Sequence, residues 1–325
     1  MNHTKNIVIT GACRGIGKSL AHILANSGYS LTLGVLDVER GRAVADTIKQ
    51  SCQHDNVTIS VDHIDLTNFN SIRMFASHID ACSVLINNAG VMNGSLHKSN
   101  GIESTMITNH FGPFLLTRLL LPTLLQTSMD SKEVSRIVNV ASANEQKAMA
   151  FPGADPTGNS AIRGELPDSV SFQKGATDKH TFYGLLSGTS WMTEGPQPYF
   201  MHTAYANSSL CILLSTFELS RRLSRLPPSR GKVTVNAVCP GYVNTELWKD
   251  SRVWNYLRWV LLKSPDQAGA MIAEFATSMQ YTDTTGQFFS SIADTKPSRM
   301  ADSEELAKLV WKHSSEIVEV PENLV

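Results

Sequence analysis

Three glycines in Thr10-Gly11-Ala12-Cys13-Arg14-Gly15-Ile16-Gly17 stand between an apolar run, Asn6-Ile7-Val8-Ile9, and a segment whose Leu20, Ile23 and Leu24 have helical spacing. A glycine-rich turn between a strand and a helix makes a pocket of backbone N–H groups at the positive end of a helix dipole. Such a pocket suits a pyrophosphate. Glycine is needed where the chain turns sharply or where a phosphate must approach with no Cβ in the way. Two other readings compete. Gly17-Lys18-Ser19 ends like a P-loop, but five residues separate Gly11 from Gly17 where that motif has four. A turn that is glycine-rich only for packing is the other reading.

The elements around this turn alternate. Ser30 to Val35 reads as a second strand, Glu39 to Gln50 as a helix and Val57 to Val61 as a third strand. Asn68 to Ile79 is a helix and Cys82 to Ile86 a fourth strand. This pattern predicts an α/β fold: a doubly wound parallel sheet with helices on both faces and ligands beyond the carboxyl ends of the strands. Further along come a long apolar helix from about Glu103 to Leu125, a fifth strand from Arg136 to Ser142 and a helix from Ala204 through Arg222. A sixth strand follows over Lys232 to Val238, and a last helix over Ser303 to Ser314. Between Ala143 and Thr203 the chain is rich in Gly, Pro, Ser and Thr and has no clear period. We read one domain over residues 1–325, with 143–203 as an insertion folded over the substrate mouth or, for the part up to Gly175, a disordered surface excursion.

The strand ends carry the chemistry. Asp37 follows the second strand, where a dinucleotide binder places an acid for the ribose hydroxyl or a base for the NADP phosphate; it also suits the N-cap of the next helix. Arg14, inside the glycine turn, can meet an adenosine 2′-phosphate or stand solvated. Asn87-Asn88-Ala89-Gly90 follows the fourth strand, and its small and amide residues let the backbone pass under a cofactor while staying hydrogen-bonded. Ser142 ends the fifth strand with a hydroxyl that can bond a substrate carbonyl oxygen. Asn109 is an asparagine within an apolar helix, and needs a partner or a local kink near Pro113. Pro240-Gly241 turns after the sixth strand, and Thr245 just beyond can reach a nicotinamide amide.

Composition removes several function classes. Of 325 residues, 42% are hydrophobic and 18% charged, enough to bury a full core. A net charge of −1 gives no basic field for nucleic acid or an anionic membrane. No apolar run reaches the ~18 residues of a transmembrane span. The five cysteines lack a Cys-x-x-Cys pair, and the ten histidines lack metal-ligand spacing. Free thiols and a first strand starting near Lys5, with no room for a signal peptide, give a cytoplasmic expectation.

In order and position these pieces resemble the short-chain dehydrogenase/reductase family over nearly the whole chain. The tail, with Lys263-Ser264-Pro265-Asp266-Gln267-Ala268-Gly269 and Gly286-Gln287-Phe288-Phe289, resembles its branch of retinol dehydrogenases and protochlorophyllide reductases. The resemblance implies a Rossmann-type fold and hydride transfer between a nicotinamide and a lipophilic carbonyl or alcohol. It implies Tyr205 as general acid/base, Ser142 and Asn109 beside it, and cofactor contacts from Gly11, Arg14, Gly15, Ile16, Gly17, Asp37, Asp65, Leu66, Asn88, Ala89, Gly90, Pro240, Gly241 and Thr245. In that pattern Asp65 faces the adenine ring and Asn109 holds a water of a proton relay. The family's usual acid position falls on Val35 and its usual arginine on Leu36, so NADP is expected, with NAD possible. The aromatics Trp248, Trp254, Tyr256 and Trp259 would floor an apolar pocket or pack on the core.

One departure matters. The family pattern Tyr-x-x-x-Lys puts a lysine four residues after the tyrosine, and here Ser209 stands there. A lysine ammonium favours the phenolate against an ordinary pKa of about 10; serine brings no charge. Two functions follow: an NAD(P)(H)-dependent oxidoreductase in which Ser142, Tyr205, Asn109 and Ser209 surround the reaction, or a catalytically impaired protein that binds a dinucleotide or apolar ligand on the same frame. The family often pairs through the helices carrying Asn109 and Tyr205, which implies a homodimer.

Overall fold

The computed structural model describes residues 5–99, 101–147, 201–243, 262–293 and 295–324. Seven strands form one sheet: β1 (Asn6–Thr10), β2 (Ser30–Val35), β3 (Ile59–His63), β4 (Val84–Asn87), β5 (Ser135–Val140), β6 (Val233–Cys239) and β7 (Phe288–Ser290). Their order is β3-β2-β1-β4-β5-β6-β7, and every neighbouring pair is parallel. The chain winds outward from β1 to β3 and then crosses back to β4. The switch point therefore falls between the carboxyl ends of β1 and β4, where the glycine turn and Asn88 lie.

Alternate residues of each strand feed two cores. Ile7 and Ile9 of β1 join Leu31 and Leu33 of β2 under helices α1 (Gly15–Asn26), α2 (Val38–Ser51) and α6 (Pro265–Thr277). Val8 between them faces the other side, with Leu85 and Ile137, under α3 (Phe69–Ser77), α4 (Gly112–Ser131) and α5 (Met201–Leu223). A two-faced parallel sheet needs near-continuous apolar strands, and all six residues of β2 are buried.

The predicted helix over Glu103–Leu125 is three pieces. A short turn over Ser104–Met106 runs into a π-helical turn over Ile107–Phe111, and only then into α4. Pro113 has no N–H to give the carbonyl of Asn109 four residues back, so a regular α-helix is not available there. The widened turn is the backbone's answer, and it carries Asn109.

The last helix, α7 (Glu304–Ile317), and the residues after it roof α4 and α5. Arg118 of α4 donates to Ser315 and to the carbonyls of Pro321 and Asn323. Arg222 of α5 pairs with Glu218 and Glu322. The Trp311 ring receives both guanidiniums, at 5.0 and 4.8 Å from its centroid, and is met edge-on by Phe114. His110, Phe114 and Arg118, one stripe of the α4 segment, are thus buried by the chain's own tail. This is the helix pair expected to carry the dimer contact, and along this stripe the C-terminal segment occupies it.

Candidate active site

The carboxyl ends of the strands open into a cleft of about 1230 Å³. It gathers every site residue predicted from sequence that lies among the described residues. Gly11, Arg14, Gly15, Ile16 and Gly17 form one end, with Asp37, Asp65 and Leu66 beside them. Asn88, Ala89, Gly90 and Asn109 line the middle. Ser142, Tyr205, Ser209, Pro240 and Gly241 line the other end. Thr245, the aromatics Trp248, Trp254, Tyr256 and Trp259, and the part of the insertion from 148 to 200 lie outside the described residues. The ends of the expected insertion are seen: Ala143–Lys147 is a 3-10 turn, and α5 already starts at Met201.

The glycine turn fits a pyrophosphate on two observations. Gly11 has φ +70°, and a Cβ there would stand 2.9 Å from the Ala89 Cα; at Gly17 a Cβ would stand 2.3 Å from the Gly11 carbonyl oxygen. Only glycine lets β1, the turn and the segment after β4 close so tightly. The first turn of α1 holds no acid, and the Arg14 side chain makes no capping bond, so the helix's leading N–H groups face the cleft without a side-chain acceptor from the cap. Lys18, part of the P-loop-like ending, and Arg40, which belongs to no sequence pattern, add positive charge along this end.

The amide ladder is structural. Asn88 Nδ2 donates to the Thr10 carbonyl at 2.9 Å, and Thr10 Oγ1 accepts from the backbone N–H groups of Asn88 and Ala89. These bonds stitch β4 to β1 under the cleft. Asp37 caps α2, its Oδ1 accepting from Arg40 N at 2.9 Å. Val35, at the family's acid position, is buried, and Leu36 is 67% exposed. Asp65 Oδ1 accepts from Thr67 N and Oγ1 at 2.8 and 2.7 Å, tightening its own turn. Asn109 spends its side chain on the segment after β4: Oδ1 accepts from Val91 N, and Nδ2 donates to Val91 O and to Ser208 Oγ. Both amide hydrogens and one acceptor position of Asn109 thus fix the floor of the cleft.

At the far end the fold brings Ser142 and Tyr205 together, from sequence positions 63 apart (205 − 142 = 63). Tyr205 is hydrogen-bonded to Ser142. Ser142 Oγ also accepts from Asn144 N at 3.2 Å. Burial pushes the Tyr205 phenol up to about 12, the Cys239 thiol adds to the rise, and the Ser142 bond opposes it. Ser209 Oγ donates to the Tyr205 carbonyl at 3.0 Å, so its hydroxyl is turned into its own helix. The serine that stands at the lysine position thus makes a backbone contact while still lining the cleft.

Behind Asn109 lies a small cavity of about 30 Å³, bounded by Asn87, Asn139, Ser215 and Trp311. Ala89, Asn109, Val140 and Ile212 line both it and the cleft. Among the described residues there is no cluster of three His, Cys, Asp or Glu placed to hold a metal, and no helix long and apolar enough to cross a membrane.

A parallel sheet in this order, a glycine turn at its switch point and a tyrosine–serine pair at its far strand ends define a nucleotide-dependent oxidoreductase. The chain belongs to the short-chain dehydrogenase/reductase family and is an NAD(P)-dependent oxidoreductase of the retinol dehydrogenase-like branch. Residues 5–154 match the short chain dehydrogenase family. Retinol dehydrogenase 13 of Homo sapiens is 31% identical over 97% of this chain and 84% of its own length. Polyprenol dehydrogenase of Homo sapiens is 28% identical over 96% of this chain and 84% of its own. Among solved structures, a protein from Mycobacterium paratuberculosis superposes with a TM-score of 0.68 at 25% identity, covering 97% of this chain and 94% of that one.

Proposed function

We propose that this chain reduces a lipophilic aldehyde or ketone with NADPH, with Tyr205 as the proton donor. The observation that carries the reading is the Tyr205–Ser142 pair in the same cleft as the glycine turn. Gly11, Gly15, Ile16 and Gly17 would hold the pyrophosphate, and Asn88, Ala89 and Gly90 would form the floor under the dinucleotide. Asp65 and Leu66 would border the adenine, and Pro240, Gly241 and Thr245 the nicotinamide. Arg14 favours a 2′-phosphate, and the acid position at Val35 is buried and apolar; both support NADP over NAD. When bound, the nicotinamide supplies hydride to the carbonyl carbon.

The protein's own groups manage the oxygen. Asn144 N–H holds Ser142 Oγ, leaving the serine proton for the carbonyl oxygen or the phenol. Tyr205 gives its proton to the oxygen as negative charge develops there. A phenol that burial pushes up to about 12 is protonated at neutral pH, the form that can donate. Asn109 keeps the segment after β4 in place. A lipophilic substrate is supported by the relatives' names, retinol and polyprenol dehydrogenase.

The experiment is NADPH consumption against a panel of aliphatic, aromatic and isoprenoid aldehydes and ketones. Turnover is expected for the apolar members and is lost in Tyr205→Phe. NADPH binding with no turnover on any member would favour the ligand-binding alternative.

A further inference from the structure

We propose that Glu145 is a positioning residue for Ser142, clasping the turn that carries this serine to the C-terminal segment. This rests on the reading of Ser142 given above.

Glu145 is completely buried, and the chemistry at Tyr205 does not use it. Its carboxylate accepts twice from one residue: Oε1 from Ser298 N at 2.8 Å and Oε2 from Ser298 Oγ at 2.5 Å. Ser298 Oγ in turn accepts from Ala301 N, and Gln146 Nε2 donates to the Lys296 carbonyl, so the clasp has two points. On the other side, the turn is tied to the serine: Asn144 N donates to Ser142 Oγ and Glu145 N to the Ser142 carbonyl. The Ser142 hydroxyl is therefore aimed by a backbone N–H whose place is set by Glu145, three residues on.

A buried carboxylate held by neutral donors is a poor device for stability, because its desolvation offsets most of what the hydrogen bonds contribute. It is a good device for geometry, since an acceptor with two oxygens fixes both a distance and an orientation. Burial raises the Glu145 carboxyl above its ordinary value, the two Ser298 bonds oppose the rise, and Asp302 adds to it. Asp302 is the charged group acting from the C-terminal segment. Tyr205 of α5 and Cys239 at the end of β6 lie against Ser142 and Ala143. Protonating Glu145 would cost it one acceptor position and loosen the turn at acid pH.

The test compares Glu145→Gln and Ser298→Ala with wild type, alongside Ser142→Ala. The first readout needs no substrate: backbone amide resonances of Asn144 and Ser298 followed by NMR as pH falls. In wild type they are expected to titrate together with one acid midpoint. In Glu145→Gln the transition is expected to vanish. In Ser298→Ala the Asn144 midpoint moves to higher pH, because a group that holds the carboxylate ionised is gone. The second readout is NADPH-dependent turnover of an aldehyde. Glu145→Gln is expected to lower kcat about tenfold, with NADPH affinity within about twofold and the acid limb of the kcat profile lost. An unchanged titration at Asn144 in both variants, or an unaltered kcat and acid limb, would overturn the proposal. If Ser142→Ala keeps wild-type kcat, the reading of the serine itself is overturned. If Ser142→Ala is inactive while Glu145→Gln behaves as wild type, only the positioning role is lost.

Discussion

Ser209 Oγ donates a 3.0 Å hydrogen bond to the carbonyl oxygen of Tyr205, one helical turn before it. Ser208 does the same at 2.8 Å and also accepts from Asn109 Nδ2 at 3.1 Å. Ser208 thus ties α5 to the π-helical turn, and the Ser209 hydroxyl donates within its own helix. Neither reaches toward the phenol. The cations that line the cleft among the described residues are Arg14, Lys18 and Arg40, on the leading turns of α1 and α2 at the pyrophosphate end. The phenol therefore meets burial and a thiol neighbour with one hydrogen bond to oppose them, and stays protonated.

The pH dependence of each direction follows. A donor with its pKa near 12 is in its active form throughout pH 6–9, so kcat/KM for carbonyl reduction is expected to be flat across that range. Alcohol oxidation needs the phenolate and should rise about tenfold per pH unit without levelling. Steady-state profiles in both directions check this. A plateau in oxidation near neutral pH would show that a cation reaches Tyr205.

Ser209→Lys supplies that cation. The ammonium favours the phenolate, so oxidation at pH 8 should rise by about one to two orders of magnitude. Its pH profile should move toward neutral, and the reduction profile should gain a decline above the lowered pKa. The comparison is of oxidation profiles for the variant and wild type on the same alcohol.

Arg14 tests the cofactor reading. Arg14→Ala should raise KM for NADPH about tenfold and leave that for NADH within about twofold, as expected when one charge-assisted contact to a phosphate is removed. Equal losses for both nucleotides would place Arg14 on the pyrophosphate instead.

His110 makes stability pH-dependent. Burial lowers its pKa from 6.5 to about 3, so the folded state holds it neutral while the unfolded chain binds a proton below about 6.5. Its contribution is complete above the unfolded pKa and is lost as pH falls through the window from 6.5 toward 3. Between pH 7 and 5 the loss is about 2 kcal/mol. Urea unfolding at both pH values should show it in wild type and not in His110→Asn, which removes the titrating ring.

The C-terminal clasp predicts a monomer. Trp311 is buried between Arg118, Arg222 and Phe114 on the outer face of α4 and α5. Light scattering should give a single-chain mass. Trp311→Ala should cost about 3–5 kcal/mol of stability, read by denaturant unfolding. A stable wild-type dimer would mean that pairing uses a different surface.

Six of the seven strands of the sheet, their parallel sense and the glycine turn were legible because each is a local pattern: apolar runs of strand length, helical spacing between them, and glycines at a turn that tolerates nothing larger; β7, three residues long, is too short to show one. Asp37 shows the limit of that reading. From sequence it fitted a ribose contact or a helix cap, and only the fold shows its Oδ1 on the N–H of Arg40. Asn109 is similar, since an amide in an apolar helix signals a buried partner without naming Val91 or Ser208. Glu145 gave no signal, because its partner Ser298 lies 153 residues away. The sequence alone determined which backbone conformations and which buried faces this chain adopts, since those depend on residue type and near-neighbour spacing. The tertiary structure decided where each polar hydrogen goes, because a hydroxyl or amide takes whichever acceptor the packed chain brings within about 3 Å.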